Sequence, residues 1–156
     1  MVPRFKWLFV LVVLAAAVLS VGTALATDSS GLRRTVLARA TLEPFHLQTP
    51  DFKIHSKNRA DVVVQQVTFE VDGHTGWHTH FGPAFILVKS GQIARTRADG
   101  CTTQVFGPGE GFVEASDDVH IARNVGTGRA EIIGTYTNVP IGQGTSTSVA
   151  APRNCP

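Results

Sequence analysis

The stretch Gly-Trp-His-Thr-His-Phe-Gly-Pro-Ala-Phe-Ile-Leu-Val, residues 76–88, decides the fold of this chain. Its His-x-His pair, His78 and His80, predicts a strand with both imidazoles on one face, because successive side chains of a strand point to opposite sides. A Gly-Pro turn then separates this strand from an apolar strand. A third histidine, His120, lies near a later strand-like stretch. Three imidazoles on one face predict a metal pocket shared between neighbouring strands.

Strand-like stretches also make up most of the remaining chain, each bounded by Gly, Pro, Asp or Asn. Outside the first residues the chain has no amphipathic helix and no internal repeat. Short strands at this spacing predict a single all-β domain, an antiparallel jelly-roll barrel. In the second stretch, alternation assigns Val63, Val67, Phe69 and Val71 to the core. The predicted strands are residues 35–42, 62–71, 84–88, 92–97, 103–106, 111–114, 119–123 and 130–138.

The spacing around the first two histidines resembles the first motif of the cupin family. That motif reads Gly, five residues, His-x-His, three or four residues, Glu, six residues, Gly, and the chain matches it at His78, His80 and Gly91. The motif's first Gly falls at Asp72. Its Glu, normally a fourth metal ligand in the family, falls at Ala84.

The later histidine resembles the second cupin motif. That motif reads Gly, five residues, Pro-x-Gly, two residues, His, three residues, Asn, and it is matched at Gly109, His120 and Asn124. Ala115 and Asp117 replace its Pro and its second Gly. The histidine spacing is therefore kept, whereas two turn residues depart from the family pattern.

The resemblance covers about residues 62–136 and implies a barrel that holds one divalent transition-metal ion through His78, His80 and His120. Without the motif Glu, more coordination positions are left to water or substrate. Imidazole ligands suit iron, zinc, nickel and copper, and manganese would bind more weakly, so the sequence does not distinguish these metals. Glu114 has two interpretations. It joins the site, as a replacement ligand, a partner of a ligand or a proton acceptor, or it is a solvent-facing carboxylate.

The family resemblance leaves the function open, because the same fold serves enzymes, storage proteins and sensing modules. The first hypothesis is an exported metal-binding cupin that acts on or senses a small molecule. The second is a non-haem three-histidine dioxygenase, and the third is a metal-free module that binds a small ligand. No Ser/His/Asp set, phosphate-binding loop or catalytic Cys context indicates hydrolysis or phosphoryl transfer. The resemblance also implies a possible homodimer through edge strands.

The remaining histidines and two aromatic residues have simpler interpretations. His74 is predicted to lie in a loop at the pocket mouth, outside the ligand set, because a turn-forming Asp-Gly pair precedes it. His46 and His55 have no partner spacing and are predicted at the surface. Trp77 and Tyr136 are predicted to be core or rim aromatics, with lining of a substrate path as the alternative.

The first 26 residues predict a secretory signal peptide that is cleaved after Ala26. Arg4 and Lys6 form its positive region, an apolar segment follows, and an Ala-Leu-Ala sequence supplies the small residues of a cleavage site. The apolar segment is also long enough to cross a bilayer, so an uncleaved anchor is the alternative. The mature domain, residues 27–156, is predicted to be extracytoplasmic, with no membrane contact of its own.

The charge balance argues against nucleic acid as a partner. The chain has 14 Lys and Arg against 12 Asp and Glu, and removing Arg4 and Lys6 with the signal segment leaves 12 of each. A neutral domain without a basic stripe has little attraction for a phosphate backbone, which dominates nucleic-acid affinity. Arg95 and Arg97 are predicted to be solvated strand positions.

The two cysteines of the chain, Cys101 and Cys155, predict a disulfide in an oxidising compartment. This bond would tether a Gly-, Ser-, Thr- and Ala-rich tail, residues 142–152. Closing a loop of this length stabilises a fold by about 4 kcal/mol in the chain-entropy account. Two free thiols or soft metal ligands are the alternative, but neither cysteine has a CxxC or histidine neighbour.

Overall fold

The computed structural model describes residues 25–155, which form short antiparallel strands and a single turn of 3₁₀ helix at Asp99–Cys101. The strands are β1 (Ser30–Leu42), β2 (Phe45–Gln48), β3 (Lys53–Ser56), β4 (Ala60–His74), β5 (His78–Thr79), β6 (Ala84–Ser90), β7 (Ile93–Arg97), β8 (Thr103–Phe106), β9 (Gly111–Glu114), β10 (His120–Asn124), β11 (Ala130–Val139) and β12 (Thr147–Ser148).

Two ladders of strands make up a nearly closed barrel. The first runs in the order β1, β4, β11, β6, β9, and the second in the order β12, β5, β10, β7, β8. The ladders join where Arg123 of β10 pairs with His74 of β4. This arrangement confirms the predicted all-β jelly-roll barrel, in which closure leaves few exposed sheet edges.

The eight strands of the sequence prediction are all present, and its His-x-His strand is present as β5, which ends at Thr79, whereas β2, β3 and β12 were not predicted. The β2–β3 hairpin forms a separate two-stranded sheet, and β12 pairs with β5. The predicted signal peptide lies almost wholly outside the described residues, which begin at Leu25. Within residues 25–155, no helix is long and apolar enough to cross a membrane.

The core follows the alternation of the strands with one exception. Val63, Val67 and Phe69 are buried as predicted, whereas Val71 is 51% exposed, so its assignment to the core was wrong. The backbone of the next residue, Asp72, has a positive φ of 60°. This irregular conformation interrupts the regular pleat at the end of β4, and burial no longer alternates there.

Two motif residues that are not metal-ligand candidates shape the turns of the barrel. Gly91 has a φ of 76°, and a Cβ atom there would lie 2.5 Å from the Cβ of Ala130. Only glycine therefore fits the β6–β7 turn. The fully buried Asn124 amide donates hydrogen bonds to the carbonyls of Glu70, at 2.9 Å, and Gly128, at 2.7 Å. It thereby connects β10 with β4 and the turn before β11.

A C-terminal strap, residues 142–150, covers one end of the second ladder. Within it β12 pairs with β5, and the Val149 amide donates to the Trp77 carbonyl at 2.9 Å. A disulfide joins Cys101 and Cys155, whose Cα atoms are 5.3 Å apart. The tail is thus tied at its end and paired along its length.

Candidate metal centre

Strand pairing brings the three predicted histidines together inside the barrel. His120 of β10 is paired directly with His78 of β5, and His80 follows one residue after β5 ends. All three side chains are buried. One potential ligand nitrogen from each lies within 4.8 Å of the other two. Residues far apart in sequence therefore converge on one point, because neighbouring strands place them on a common face.

The orientation of each imidazole is fixed by a backbone carbonyl. The Nδ1 atoms of His78, His80 and His120 lie 3.0, 2.9 and 2.7 Å from the carbonyl oxygens of Gly76, Thr145 and Asp118 respectively. A carbonyl oxygen only accepts, so each Nδ1 must carry the hydrogen. In the neutral rings the lone pairs then belong to the Nε2 atoms, which is the usual arrangement around a metal-binding histidine.

One of these Nε2 atoms has no hydrogen-bond partner. His120 is fully buried, and its Nε2 lies 2.8 Å from Glu114 Oε1 without the geometry of a hydrogen bond. A buried nitrogen lone pair without a partner is costly, and in a neutral ring it would face a carboxylate oxygen. A cation between the imidazoles and the carboxylate would satisfy both groups. The donor set therefore fits a divalent transition metal.

Glu114 faces this pocket, and the interpretation as a solvent-facing residue was wrong. Its side chain is 3% exposed, and its two oxygens contact different imidazoles. Oε1 lies 2.8 Å from His120 Nε2, and Oε2 lies 3.1 Å from His80 Nε2. On its other side, Arg95 Nε lies 3.4 Å from Oε1. The carboxylate therefore bridges the two ladders at the histidine cluster.

Arg95 was predicted to be solvated, which the structure contradicts. Its side chain is 7% exposed and forms an ion pair with the buried Asp118, which Arg97 also contacts at 3.0 Å. The Arg95 guanidinium lies over the Phe112 ring, 5.3 Å from its centre. A strand arginine can be buried when carboxylates on neighbouring segments neutralise it, and a composition argument misses that pairing.

Burial and mutual contact set the charges of the metal-free pocket. Burial, and then the neighbouring His120 and His80, lower the pKa of His78 to about 3. Burial alone would raise the pKa of Glu114, but the close contacts of its two oxygens with His120 and His80 outweigh burial and lower that pKa. Burial and the Glu114 charge raise the pKa of Tyr136, whose ring centre lies 5.1 Å from that of His80. At neutral pH the pocket thus offers a neutral His78 and an ionised Glu114.

The other histidines lie apart from this cluster. His74 is the last residue of β4 rather than part of a loop, and its Nδ1 accepts a hydrogen bond from the Gly76 amide at 3.2 Å. The prediction placed it in a loop because it treated the Asp-Gly pair as a turn, whereas that pair continues the strand. His46 and His55 are exposed, as predicted, but they are direct partners across the β2–β3 hairpin.

The strap contributes a site residue that the sequence did not indicate. Thr145 is buried, its carbonyl accepts the His80 Nδ1 hydrogen, and its hydroxyl lies 3.4 Å from Gln65 Oε1. Every residue has a backbone carbonyl, so the sequence alone could not indicate that Thr145 contacts His80. Trp77 and Tyr136 are both buried, as core aromatics should be.

A cleft of about 430 Å³ lies elsewhere, between the β2–β3 hairpin and the barrel. Phe45, Ile54 and Phe81 are among its lining residues, and none of the three clustered histidines belongs to it. We place the candidate site at the histidines, because converging nitrogen atoms and a buried carboxylate define a specific chemistry, whereas the cleft has no such group.

The family model described as "Cupin domain" matches residues 65–136 of this chain. The polyketide cyclase RemF from Streptomyces resistomycificus has a similar fold, with a TM-score of 0.53 and 16% identity over 81% of each chain. A cupin-like protein from Thermotoga maritima gives a TM-score of 0.49 and 20% identity, over 58% of this chain and 65% of that one.

An oxalate oxidase in complex with the substrate analogue glycolate gives a TM-score of 0.44 and 23% identity. The match covers 47% of this chain but only 40% of the oxidase. No curated protein sequence matches the chain. At 16% identity, the similarity to the polyketide cyclase structure shows a shared fold alone.

Proposed function

This chain belongs to the cupin family, and from the three imidazoles inside its barrel we propose that it binds one divalent transition-metal ion. The Nε2 atoms of His78, His80 and His120 would hold the ion. The observation that carries this proposal is the hydrogen-bond pattern of the cluster. Every Nδ1 faces a backbone carbonyl, and the buried His120 Nε2 is left without a hydrogen-bond partner. Bound there, the metal would supply a Lewis acid with positions open to a small molecule.

The choice of metal follows from the ligand types. Imidazole nitrogen suits iron, zinc, nickel and copper, and a nearby carboxylate also makes manganese acceptable. The protein residues contribute preorganisation, because the carbonyls of Gly76, Thr145 and Asp118 hold the rings before any ion arrives. A small molecule is the expected partner, since the three imidazoles are buried inside the barrel, where a small ligand rather than a macromolecule could reach the metal.

We also propose that the protein is exported. The first 26 residues have the composition of a signal peptide, and the Cys101–Cys155 disulfide is typical of an oxidising compartment outside the cytoplasm. The first residue after the proposed cleavage point already contacts the strap, because the Thr27 amide donates to the Val149 carbonyl at 3.1 Å. A mature domain starting at residue 27 would keep this contact.

The test is thermal unfolding of the purified, tag-free protein with and without added metal. A ligand that binds only the folded state stabilises it by about 2.7 kcal/mol when present at a hundred times its Kd. We expect the melting temperature to rise with at least one of iron, zinc, nickel, copper and manganese. In His78→Ala this rise should be lost. Equal melting temperatures with and without every metal, in both proteins, would favour a metal-free ligand-binding module instead.

A further inference from the structure

The metal centre includes a carboxylate supplied by β9 at the place where the family motif would supply one from β6. Glu114 is the residue concerned, and Ala84 is its direct partner across the β6–β9 pair. Directly paired residues of an antiparallel ladder point to the same face, with Cβ atoms about 5 Å apart. Side chains from these two positions therefore reach the same space.

The row that contains this pair faces the histidines. Tyr136 of β11 pairs with Ala84, which pairs with Glu114, so the three side chains line up across the first ladder. Both ends of this row contact the histidine cluster. The centre of the Tyr136 ring lies 5.1 Å from that of the His80 ring, and Glu114 contacts His80 and His120. Ala84 between them is completely buried and contributes only a methyl group. This leaves room for the longer Glu114 side chain.

The contacts of Glu114 suit a ligand better than a simple ion-pair partner. Its oxygens lie 2.8 and 3.1 Å from the Nε2 atoms of His120 and His80, the atoms that would hold the metal, and the contact with His80 is a hydrogen bond. A carboxylate that served only to balance Arg95 would turn both oxygens to the guanidinium. Here a single contact of 3.4 Å joins Arg95 Nε to Oε1. Arg95 thus balances the charge of the carboxylate from one side, without a hydrogen bond from its Nε, while the carboxylate oxygens stay at the imidazole nitrogen atoms.

We infer that Glu114 is the fourth protein ligand of the metal, having taken over from β9 the position that Ala84 leaves empty on β6. This inference rests on the proposed function, because it assigns a further ligand to the same ion. It changes the expected preference of the site. A carboxylate adds a hard, anionic oxygen to three imidazoles, which favours manganese and iron more than three neutral nitrogens would.

The experiment compares Glu114→Gln with wild type, using Co²⁺ as a spectroscopic probe and Mn²⁺ and Zn²⁺ for affinity. Gln keeps the shape but removes the charge. We expect the Co²⁺ d–d absorption to shift, because an anionic oxygen ligand is lost. We expect Mn²⁺ affinity to fall by about 100-fold and Zn²⁺ affinity by less, since carboxylate loss affects the harder ion more. Asp61→Asn, which neutralises a buried carboxylate outside the cluster, is the matched control and should change neither.

A second variant moves the carboxylate back across the strand pair. Glu114→Ala should lose Mn²⁺ affinity, and adding Ala84→Glu should restore it to within about 10-fold of wild type. If this double variant does not fold, the Glu114→Gln comparison decides alone. A wild type that binds metal while Glu114→Gln shows the same Co²⁺ spectrum and Mn²⁺ affinity would overturn the inference and leave the three-histidine site standing. A wild type that binds no metal would overturn both.

Discussion

Asp61 and Glu114 are both buried carboxylates, but they differ in the groups that contact them. Asp61 accepts hydrogen bonds from the Thr41 hydroxyl and Arg39 Nη1, both at 2.7 Å, and from the Gly142 amide at 3.0 Å. Each partner is a donor. Glu114 instead contacts the Nε2 atoms of His80 and His120, the nitrogen atoms that would hold the proposed metal ion. The first cluster is complete without a ligand, whereas the second is the one that we propose holds a cation.

A buried carboxylate with a structural role can be told from one in a functional site by the groups around it rather than by its pKa. Both carboxylates have lowered pKa values, for Asp61 to about 2 through Thr41, Gly142 and Arg39. The direction of the pKa shift therefore does not distinguish them. What distinguishes them is the type of group around each, because the partners of Asp61 are permanent donors, whereas imidazole Nε2 atoms beside Glu114 can bind a metal ion instead of a proton.

The largest effect should come from removing a ligand. His120→Ala takes away the nitrogen that has no hydrogen-bond partner, and we expect metal affinity to fall by more than about 100-fold, beyond the loss typical of residues that only support a ligand. Competition with a chelator measures this. Asp61→Asn should bind metal as wild type does, and equal losses in the two variants would erase the distinction between the clusters.

Breaking the disulfide tests the strap that touches both clusters. The strap supplies the Gly142 amide to Asp61 and the Thr145 carbonyl to His80. For Cys101→Ser combined with Cys155→Ser, we expect the free energy of unfolding to fall by at most about 4 kcal/mol, from the freed loop in the unfolded chain.

The same double variant should lose no more than about 10-fold in metal affinity, because β12 still pairs with β5 and holds Thr145 near His80. Chemical denaturation and metal titration of one preparation give both values. A loss of metal binding as large as that of His120→Ala would mean that the disulfide, rather than strand pairing, places the imidazoles.

Removing the Asp61 charge should lower stability in the absence of metal. Asp61→Asn weakens the hydrogen bonds from Arg39, Thr41 and the Gly142 amide, which join β1 and the strap to β4. We expect a lower urea midpoint with an unchanged slope. Glu43→Gln, in an exposed ion pair with Arg59, is the control and should have little effect. An unchanged midpoint in Asp61→Asn would show that this cluster contributes nothing.

The smallest expected effect is a pH dependence carried by Asp61. Its folded pKa of about 2 lies below the ordinary value of 3.8. The charged form is therefore favoured by folding, so this stabilisation is present above about pH 4 and is lost as the pH falls towards 2. Unfolding free energies measured from pH 5 to 2 should decline less steeply in Asp61→Asn than in wild type. Parallel curves would contradict the assignment.

Much of the fold and the centre of the site could be predicted from sequence. The spacing of the His-x-His pair and the later His120 is visible in the sequence, and the alternation of side chains along a strand predicts that the histidines share one face. The face of Glu114 could not be predicted, because a short strand between two turns gives no periodicity to fix it. The structure resolves it through the pairing with Ala84.

Other features of the site could not be predicted because they depend on contacts between segments that are distant in the sequence. Arg95 looks like a surface residue by type, and only its contacts with Glu114 and Asp118 explain its burial. The group that orients His80 is the backbone carbonyl of Thr145, which any residue type at that position would provide. Val71 was misassigned because a single positive φ at Asp72 disturbs the alternation of a strand, and residue type does not report such a bend.

The proposed metal centre is tested most simply by elemental analysis of the tag-free protein, purified from cells that express the full chain, followed by reconstitution. Three converging imidazoles predict about one divalent transition-metal ion per chain, retained in Asp61→Asn and lost in His120→Ala. A protein that carries no metal as isolated, and takes up none from iron, zinc, nickel, copper or manganese, would contradict the account.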